Sequence, residues 1–200
     1  DADQIVGRSV DGYTCGFPVS ALDDDRTAMV VVGMNGEPLP TEHGFPVRLV
    51  VPGLYGYVSA TKWLRKIELV GLDDFDGYWI PRGWSKDGPV KTQSRIDVPK
   101  RGADVAAGRV AVAGVAWAQH RGIEKVEVRV DQGDWVEARL GDAYSVDTWR
   151  QWVYEWDATP GDHELQVRAT DGNGDVQTAD EALPAPDGAT GHHTVVVSIS

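Results

Sequence analysis

The sequence predicts a mainly β protein, with an α+β part in residues 1–93 followed by an all-β domain in residues 94–200. Two observations predict this division. Residues 36–63 concentrate proline and glycine on either side of a short apolar run, which is typical of stiff loops around a buried strand. From about residue 101, short stretches of alternating polar and apolar residues are separated by Gly and Asp turns. Strands at this spacing predict a β-sandwich.

Short elements are expected in the first part. Residues 5–8 lead into Asp11-Gly12, a strong turn dipeptide. Ser20 is the expected N-cap of a short helix over residues 20–26, because acidic residues follow in its first turn. Strands are expected over residues 29–32, 47–51 and 63–70.

Residues 71–100 show no regular period, and residues 72–84 are loop-like and rich in glycine, proline and aromatic side chains. Tyr78, Trp79 and Trp84 have two possible roles in such loops. They wall a pocket beside the neighbouring strand, or they cap the core or meet the next domain. The sequence leaves both interpretations open.

In the second part, Trp152, Tyr154 and Trp156 lie on one face of a predicted strand. An aromatic stripe of this kind either faces the opposite sheet as core or forms an exposed stacking platform, for instance for a sugar. We favour the core. The other strands are expected over residues 109–117, 125–130, 135–140, 165–168 and 193–199. Because the Cys…Trp…Cys signature of antibody domains is missing, we expect a related immunoglobulin-like class.

The composition is acidic, with 19 Lys and Arg against 31 Asp and Glu, a net charge of −12 and a pI near 4.7. Such a field repels nucleic acid and anionic membranes, so we expect neither as a partner. No apolar run approaches the roughly 20 residues that span a bilayer. The charged and hydrophobic fractions, 25% and 42%, are ordinary for a globular protein.

Metal and nucleophile chemistry finds little support in the residue pattern. Cys15 is the one cysteine, which excludes an internal disulfide and a Cys-based zinc site, and we expect it to be buried. The runs 23–25 and 73–74 contain only aspartates, and they lack the ligand spacing of a calcium loop. His192-His193 would need a third ligand, and no serine–histidine–acid arrangement is singled out by spacing.

Three motifs in the first part carry a family resemblance: residues 35–40 (NGEPLP), residues 43–48 (HGFPVR), and residues 51–53 (VPG) followed by 62–64 (KWL). In this order they resemble the second half of the molybdopterin-binding domain of the sulfite oxidase family. The resemblance covers roughly the first half of the chain. Residues 94–200 resemble the immunoglobulin-like dimerisation domain that follows in that family, which implies a homodimer formed through the sandwich.

The resemblance implies a molybdopterin cofactor and a set of contacts to it. His43 and Arg48 stand at the family's cofactor-contact positions, and Ser59, Ala60, Thr61 and Lys62 match a segment that lines the cofactor through main chain and a lysine. Fixed cations suit the cofactor's phosphate. One residue more than in the family separates Gly56 from Lys62, so the register of residues 59–61 stays open.

The resemblance also implies two-electron oxygen-atom transfer at molybdenum, with a small oxo-anion or sulfoxide-like substrate. Trp84 stands where the family has a substrate-pocket tyrosine, and residues 184–191 contain no counterpart of the family's late arginine. The family's molybdenum-ligating cysteine lies well upstream of the HGFPVR motif, and Cys15 does not match it. We therefore expect the chain to be the C-terminal portion of an oxidoreductase, without a metal ligand and inactive alone.

Relatives in this family are often exported, so an extracytoplasmic parent protein is the expectation. The alternative function belongs to another class: a non-catalytic immunoglobulin-like binding or assembly module, with Trp152, Tyr154 and Trp156 exposed. Burial of these three side chains discriminates between the two hypotheses.

Overall fold

The computed structural model describes residues 2–23 and 26–200, and the chain divides into two compact units. The first unit consists of Asp1–Val90 and Leu183–Gly188, and the second of Lys91–Ala182 and Ala189–Ser200. Residues 183–188 were expected in the second domain, but they lie in the first unit. Among the described residues, no helix has both the length and the apolar character needed to cross a membrane.

The first unit is built on three small antiparallel sheets. Its strands are β1 (Gln4–Ser9), β2 (Thr14–Pro18), β3 (Met29–Val31), β4 (Gly33–Met34), β5 (Glu37–Pro38), β6 (Arg48–Val50) and β7 (Leu64–Val70). Strand β1 lies between β2 and β7, while β3 pairs with β6 and β4 with β5. Helix α1 (Gly56–Ser59) and 3-10 helices Val19–Leu22, Thr41–His43 and Ile80–Arg82 connect them. Ile5, Phe17, Leu49 and Val51 form the shared core.

Prolines determine where two of these elements begin and end. The helix expected over residues 20–26 is a 3-10 turn over Val19–Leu22, whose N-cap is Pro18 with no side-chain cap. The prediction of Ser20 as N-cap is therefore wrong, because the extended Pro18 starts the turn two residues earlier. Asp24 and Asp25 lie outside the described residues. The strand expected over residues 47–51 is limited to Arg48–Val50, since Pro46 and Pro52 lack the N–H that a ladder needs.

The second unit is a sandwich of two sheets. Its strands are β8 (Gln93–Val98), β9 (Asp104–Val105), β10 (Gly108–Trp117), β11 (Ile123–Val130), β12 (Val136–Glu137), β13 (Arg139–Leu140), β14 (Arg150–Ala158), β15 (Gly161–Asp171) and β16 (His193–Ile199). One sheet has the order β13-β14-β10-β8 and the other β12-β11-β15-β16-β9. All pairs are antiparallel except β16 with β9.

The sandwich core decides between the two interpretations of the aromatic stripe. Trp152 and Trp156 of β14 are buried together with Val112 of β10 and with Leu165 and Val167 of the facing sheet. Tyr154 is partly buried and packs against the same cluster. The stripe is thus core, as favoured from the sequence, and the exposed stacking platform is wrong.

Candidate functional site

A cavity of about 290 Å³ lies in the first unit, where the turn after β1 meets the start of β6 and the segment after α1. Polar, charged and aromatic side chains share its wall with two small residues. The lining residues are Ser9, Asp11, Tyr13, Arg48, Gly56, Ala60, Lys62 and Trp63. A concave site with a few convergent polar groups is the usual form of a small-molecule site.

The 3-10 helix Thr41–His43 positions the two cations of this cavity. The Lys62 ammonium donates to the carbonyl oxygen of Glu42 at 2.7 Å, and an Nη of Arg48 donates to that of His43 at 3.2 Å. The indole N–H of Trp63 donates to the carbonyl of Thr41 at 2.8 Å. Carbonyl partners orient the cations without neutralising them, so both charges remain available to an anionic ligand.

Arg48 retains unused hydrogen-bonding capacity. Its Nε is buried and has no hydrogen-bond partner among the described residues. A buried donor without a partner is costly, and in a cavity wall it indicates a group that the ligand satisfies. The Arg48 fork suits the oxygens of a phosphate or carboxylate.

The turn between β1 and β2 brings an acid and a phenol to the same wall. Hydrogen bonds from the Ser9 side chain and from the Tyr13 N–H lower the pKa of Asp11, which keeps its carboxylate ionised at neutral pH. Burial raises the pKa of Tyr13 well above its ordinary value. The Tyr13 hydroxyl therefore stays protonated and donates to the carbonyl of Tyr57 at 3.1 Å.

Comparison with known proteins assigns the chain to a family. Residues 1–79 match the family model described as "Oxidoreductase molybdopterin binding domain". The chain is 30% identical to mitochondrial sulfite oxidase of Mus musculus over 191 residues, which is 82% of this chain and 35% of that protein. The chain belongs to the sulfite oxidase family of molybdopterin oxidoreductases. Molybdopterin is accordingly the cofactor of its first unit.

Two further relatives extend the comparison. The "Uncharacterized oxidoreductase YuiH" of Bacillus subtilis is 38% identical over 90 residues, or 44% of this chain and 43% of that protein. The sulfane dehydrogenase SoxCD from Paracoccus pantotrophus has a similar fold, with a TM-score of 0.77 at 24% identity, over 100% of this chain and 57% of that one. The chain spans about a third of the length of the mitochondrial sulfite oxidases it matches.

The resemblance to the sulfite oxidase family implies six cofactor-contact residues. The structure brings three of them to the cavity: Arg48, Ala60 and Lys62. The exposed His43 side chain does not line the cavity, although its carbonyl oxygen holds Arg48. Ser59 and Thr61 are buried behind the wall. The Ser59 hydroxyl faces the carbonyls of Leu54 and Tyr55, and the Thr61 hydroxyl lies 3.0 Å from the Cys15 sulfur.

Trp84, the expected substrate-pocket residue, belongs to an aromatic cluster that does not line this cavity. Its ring centroid lies 4.7 Å from that of Tyr57 and 5.9 Å from that of Trp79. Burial, followed by repulsion from Asp187 and Asp87, raises the pKa of Tyr57 to about 12. The role of Trp84 in a substrate pocket stays a prediction.

Sequence reasoning missed Ser9, Asp11 and Tyr13, because Asp11-Gly12 was interpreted only as a turn. Their position depends on the pairing of β1 with β7, in which the Val10 N–H donates to the carbonyl of Trp63 at 3.0 Å. The signal available in the sequence was the placement of the polar residues Ser9, Asp11 and Tyr13 around the predicted turn. Long-range pairing, which local patterns do not encode, sets what such a turn faces.

Cys15 is buried, as expected, and burial raises the pKa of its thiol to about 11. The described residues contain no group of three or more His, Cys, Asp or Glu side chains arranged to hold a metal. The two adjacent histidines serve the sandwich: the Nδ1 of His193 accepts from the Ile96 N–H at 3.0 Å, and the Nε2 of His192 lies 3.0 Å from the Gln177 carbonyl.

Proposed function

We propose that this chain contributes cofactor contacts and a sandwich module to a molybdenum-cofactor-dependent oxidoreductase, which transfers an oxygen atom in a two-electron reaction. The observation that carries the proposal is the buried Nε of Arg48, which has no partner among the described residues and lies beside Lys62 in a cavity of the molybdopterin-binding unit. Two oriented cations with unused hydrogen-bonding capacity are suited to bind the phosphate of that cofactor.

Five of the eight cavity residues then have a role toward the cofactor. Arg48 and Lys62 bind the phosphate, while the neutral phenol of Tyr13 and the carboxylate of Asp11 bind hydrogen-bonding groups of the ring system. Ala60 lies in the wall against the ring system. When bound, the cofactor supplies the molybdenum redox centre, and the protein supplies binding and orientation.

His43, Ser59 and Thr61 act as positioning residues in this proposal. The amide N–H of Ser59 donates to Tyr55, and that of Thr61 donates to Leu49, so both are already used. Their buried hydroxyls fix the chain between α1 and Lys62. His43 holds Arg48 through its carbonyl oxygen. In this proposal the three residues orient Arg48 and Lys62 and do not contact the cofactor themselves.

The proposed substrate is a small oxo-anion or a sulfoxide-like compound. Relatives in the family are named sulfite oxidases, and the cavity of this chain is cationic. Trp84 is the proposed substrate-pocket residue, and Arg82 places a cation 3.7 Å from the Tyr78 ring in the same aromatic cluster. An indole in place of a phenol removes a hydroxyl, which favours a less strongly hydrogen-bonded substrate.

The molybdenum thiolate is proposed to come from outside these 200 residues, and the chain alone is proposed to be inactive. Cys15 supports this, because its sulfur is buried against Thr61. The first unit also leaves Val30, Val32 and Leu69 exposed, and both side-chain polar atoms of the buried Gln4 lack a partner among the described residues. Further protein packed on this unit would cover and satisfy these groups.

The sandwich, proposed to be immunoglobulin-like, is the proposed homodimer interface. The outer face of its four-stranded sheet has a shallow cavity of about 410 Å³, lined by Val98, Ala113, Val115 and Val153 together with Asp97, Arg139 and Gln151. A face that combines apolar and charged side chains suits an isologous contact between two copies. The parent protein is proposed to work outside the cytoplasm, a placement supported by the family resemblance.

Pterin content tests the cofactor contacts. The chain and its variants are produced in a bacterial host that synthesises molybdopterin, and bound pterin is measured by fluorescence after oxidative release. We expect pterin in the wild type, a loss of about tenfold or more in Arg48→Gln and Lys62→Gln, and no loss in the control Arg65→Gln on the exposed part of β7. Equal pterin in all four proteins, or none in any, would overturn the cofactor contacts.

Turnover is a separate test on the same preparations. The wild-type chain is expected to oxidise no sulfite and to reduce no sulfoxide. Turnover by the isolated chain would contradict the proposal that the thiolate comes from elsewhere, while leaving the assignment of Arg48 and Lys62 intact.

A further inference from the structure

Arg150, the first residue of β14, lines a second cavity of about 200 Å³ that lies within the sandwich unit. Its Nε is buried and has no hydrogen-bond partner among the described residues. The remaining wall consists of the start of β11 and of three loops, which precede β11, precede β14 and follow β15. The other lining residues are Arg121, Gly122, Ile123, Glu124, Ala143, Ser145, Val146, Thr148 and Gly172.

The position of Arg150 makes its lack of a partner unusual. Arg150 is two residues before Trp152, so it shares the face of β14 that packs into the sandwich core. A guanidinium on such a face normally has a carboxylate partner, because burying an unpaired charged group is costly. No ion pair is found for Arg150 in the part of the chain that the structure describes.

The buried acid Asp171, which holds Arg121 of this cavity wall, is committed to that arginine. Asp171 accepts from the Nε of Arg121 at 2.8 Å and from the Thr92 hydroxyl at 2.7 Å. Its carboxylate also accepts the backbone N–H groups of Asn173 and Asp175. These bonds lower the pKa of Asp171 against the opposing effect of burial, and they leave it no role toward Arg150.

Hydrogen bonds and ring stacking hold the cavity wall in one conformation. The Thr148 hydroxyl donates to the carbonyl of Ser145 at 2.9 Å. Asp147 accepts the His120 N–H on its side chain at 3.0 Å and the Trp117 indole N–H on its carbonyl at 3.1 Å. Trp117 in turn stacks on Trp149 at 5.5 Å. The loop that faces Arg150 is therefore held in place before any ligand arrives.

We propose that Arg150 anchors a binding site for a small oxyanion in the sandwich unit. The signature is the one seen at Arg48: a cavity-lining guanidinium whose buried Nε lacks a partner. An oxyanion supplies an acceptor oxygen to the Arg150 Nε, which no group among the described residues does. Glu124 in the same wall restricts the charge that fits, so small, weakly charged oxyanions bind best. The site does not depend on the cofactor function.

Calorimetric titration of the chain with sodium sulfate, phosphate and acetate, at constant ionic strength set with chloride, tests the site. We expect saturable binding of at least one anion to the wild type and to Arg48→Gln, and binding about tenfold weaker or absent in Arg150→Gln. Arg139→Gln, an exposed arginine on the same sheet, is the matched control and is expected to bind as the wild type does.

Two outcomes would overturn the proposal. One is the absence of saturable binding to the wild type. The other is binding that is lost in Arg48→Gln and retained in Arg150→Gln, which would place the anion in the first unit.

Amide resonances of the wild type provide a measurement that needs no variant. Under sulfate, phosphate or acetate, those of Gly122, Thr148 and Gly172 are expected to shift with one common affinity. If they stay unchanged while resonances around Lys62 shift, the site is not at Arg150. These resonance shifts locate the anion site even if Arg150→Gln does not fold.

Discussion

Gly44 lies directly against Lys62: a Cβ at Gly44 would be 3.0 Å from the Lys62 Cβ and 3.1 Å from its Cα. Gly44 is the C-cap of the 3-10 helix Thr41–His43 and has a φ of 108°, a conformation that favours glycine. The absence of a side chain thus lets the carbonyls of this helix approach the Lys62 ammonium. The 3-10 helix, Gly44 and Lys62 are therefore structurally dependent on one another.

Gly44→Ala is expected to lower the free energy of unfolding and to weaken pterin retention, because the new methyl group both strains the backbone and displaces Lys62. Gly36→Ala is the matched control, since Gly36 also has a positive φ, 81°, but no atom within 4 Å of its Cβ position. The control isolates the backbone cost of about 1–2 kcal/mol. Urea unfolding measures both variants, and equal losses would show that contact with Lys62 contributes nothing.

The strand pattern of the second unit was predictable, because half-buried strands alternate visibly in sequence. The strand expected over residues 193–199 is β16 with the same bounds, and residues 109–117 correspond to β10 but for one residue. The cations Arg48 and Lys62 came from motif resemblance. What the sequence did not reveal depends on pairing between distant segments: Asp11 and Tyr13 reach the cavity only because β1 pairs with β7.

Cys15 is expected to resist thiol reagents in the folded protein. Burial raises the pKa of its thiol to about 11, so at pH 8 only about one molecule in a thousand carries the reactive thiolate. Absorbance with a disulfide reagent should show almost no reaction in native buffer and one equivalent of thiol in urea. Fast reaction of the native chain would contradict the buried position beside Thr61.

The pair His163 and Asp131 is expected to make stability depend on pH. The hydrogen bond to Asp131, followed by that to the Thr159 carbonyl, raises the pKa of His163. A raised pKa means that the folded state favours the protonated ring, so this stabilisation is full below the unfolded value of about 6.5 and is lost as pH rises through the folded value.

Asp131 sets the lower limit of the pH range in which this pair stabilises the fold. Burial opposes ionisation of its carboxylate, but hydrogen bonds from His163 and the Glu164 N–H outweigh it and lower the pKa. Its contribution is present above an unfolded value of about 4 and is lost as pH falls through the folded value. The pair is therefore most stabilising between about pH 4 and 6.5. Urea unfolding from pH 4 to 9 should show this pH dependence in the wild type and a smaller one in His163→Gln. We expect the change in unfolding free energy over this pH range to differ between the two proteins by about 1 kcal/mol or less.

Trp152 should be among the most destabilising positions to truncate, because it is buried between the two sheets of the sandwich. Trp152→Ala is expected to cost about 3–5 kcal/mol of unfolding free energy through lost contacts and a cavity. Trp152→Phe should cost clearly less, since the buried indole N–H has no partner among the described residues and its removal sacrifices no hydrogen bond. Tyr144→Ala, at a side chain that is 93% exposed, is the surface control and should stay within about 0.5 kcal/mol of the wild type. A Trp152→Phe variant as unstable as Trp152→Ala would mean that the indole N–H has a partner, and an unchanged Trp152→Ala would place the aromatic stripe outside the core.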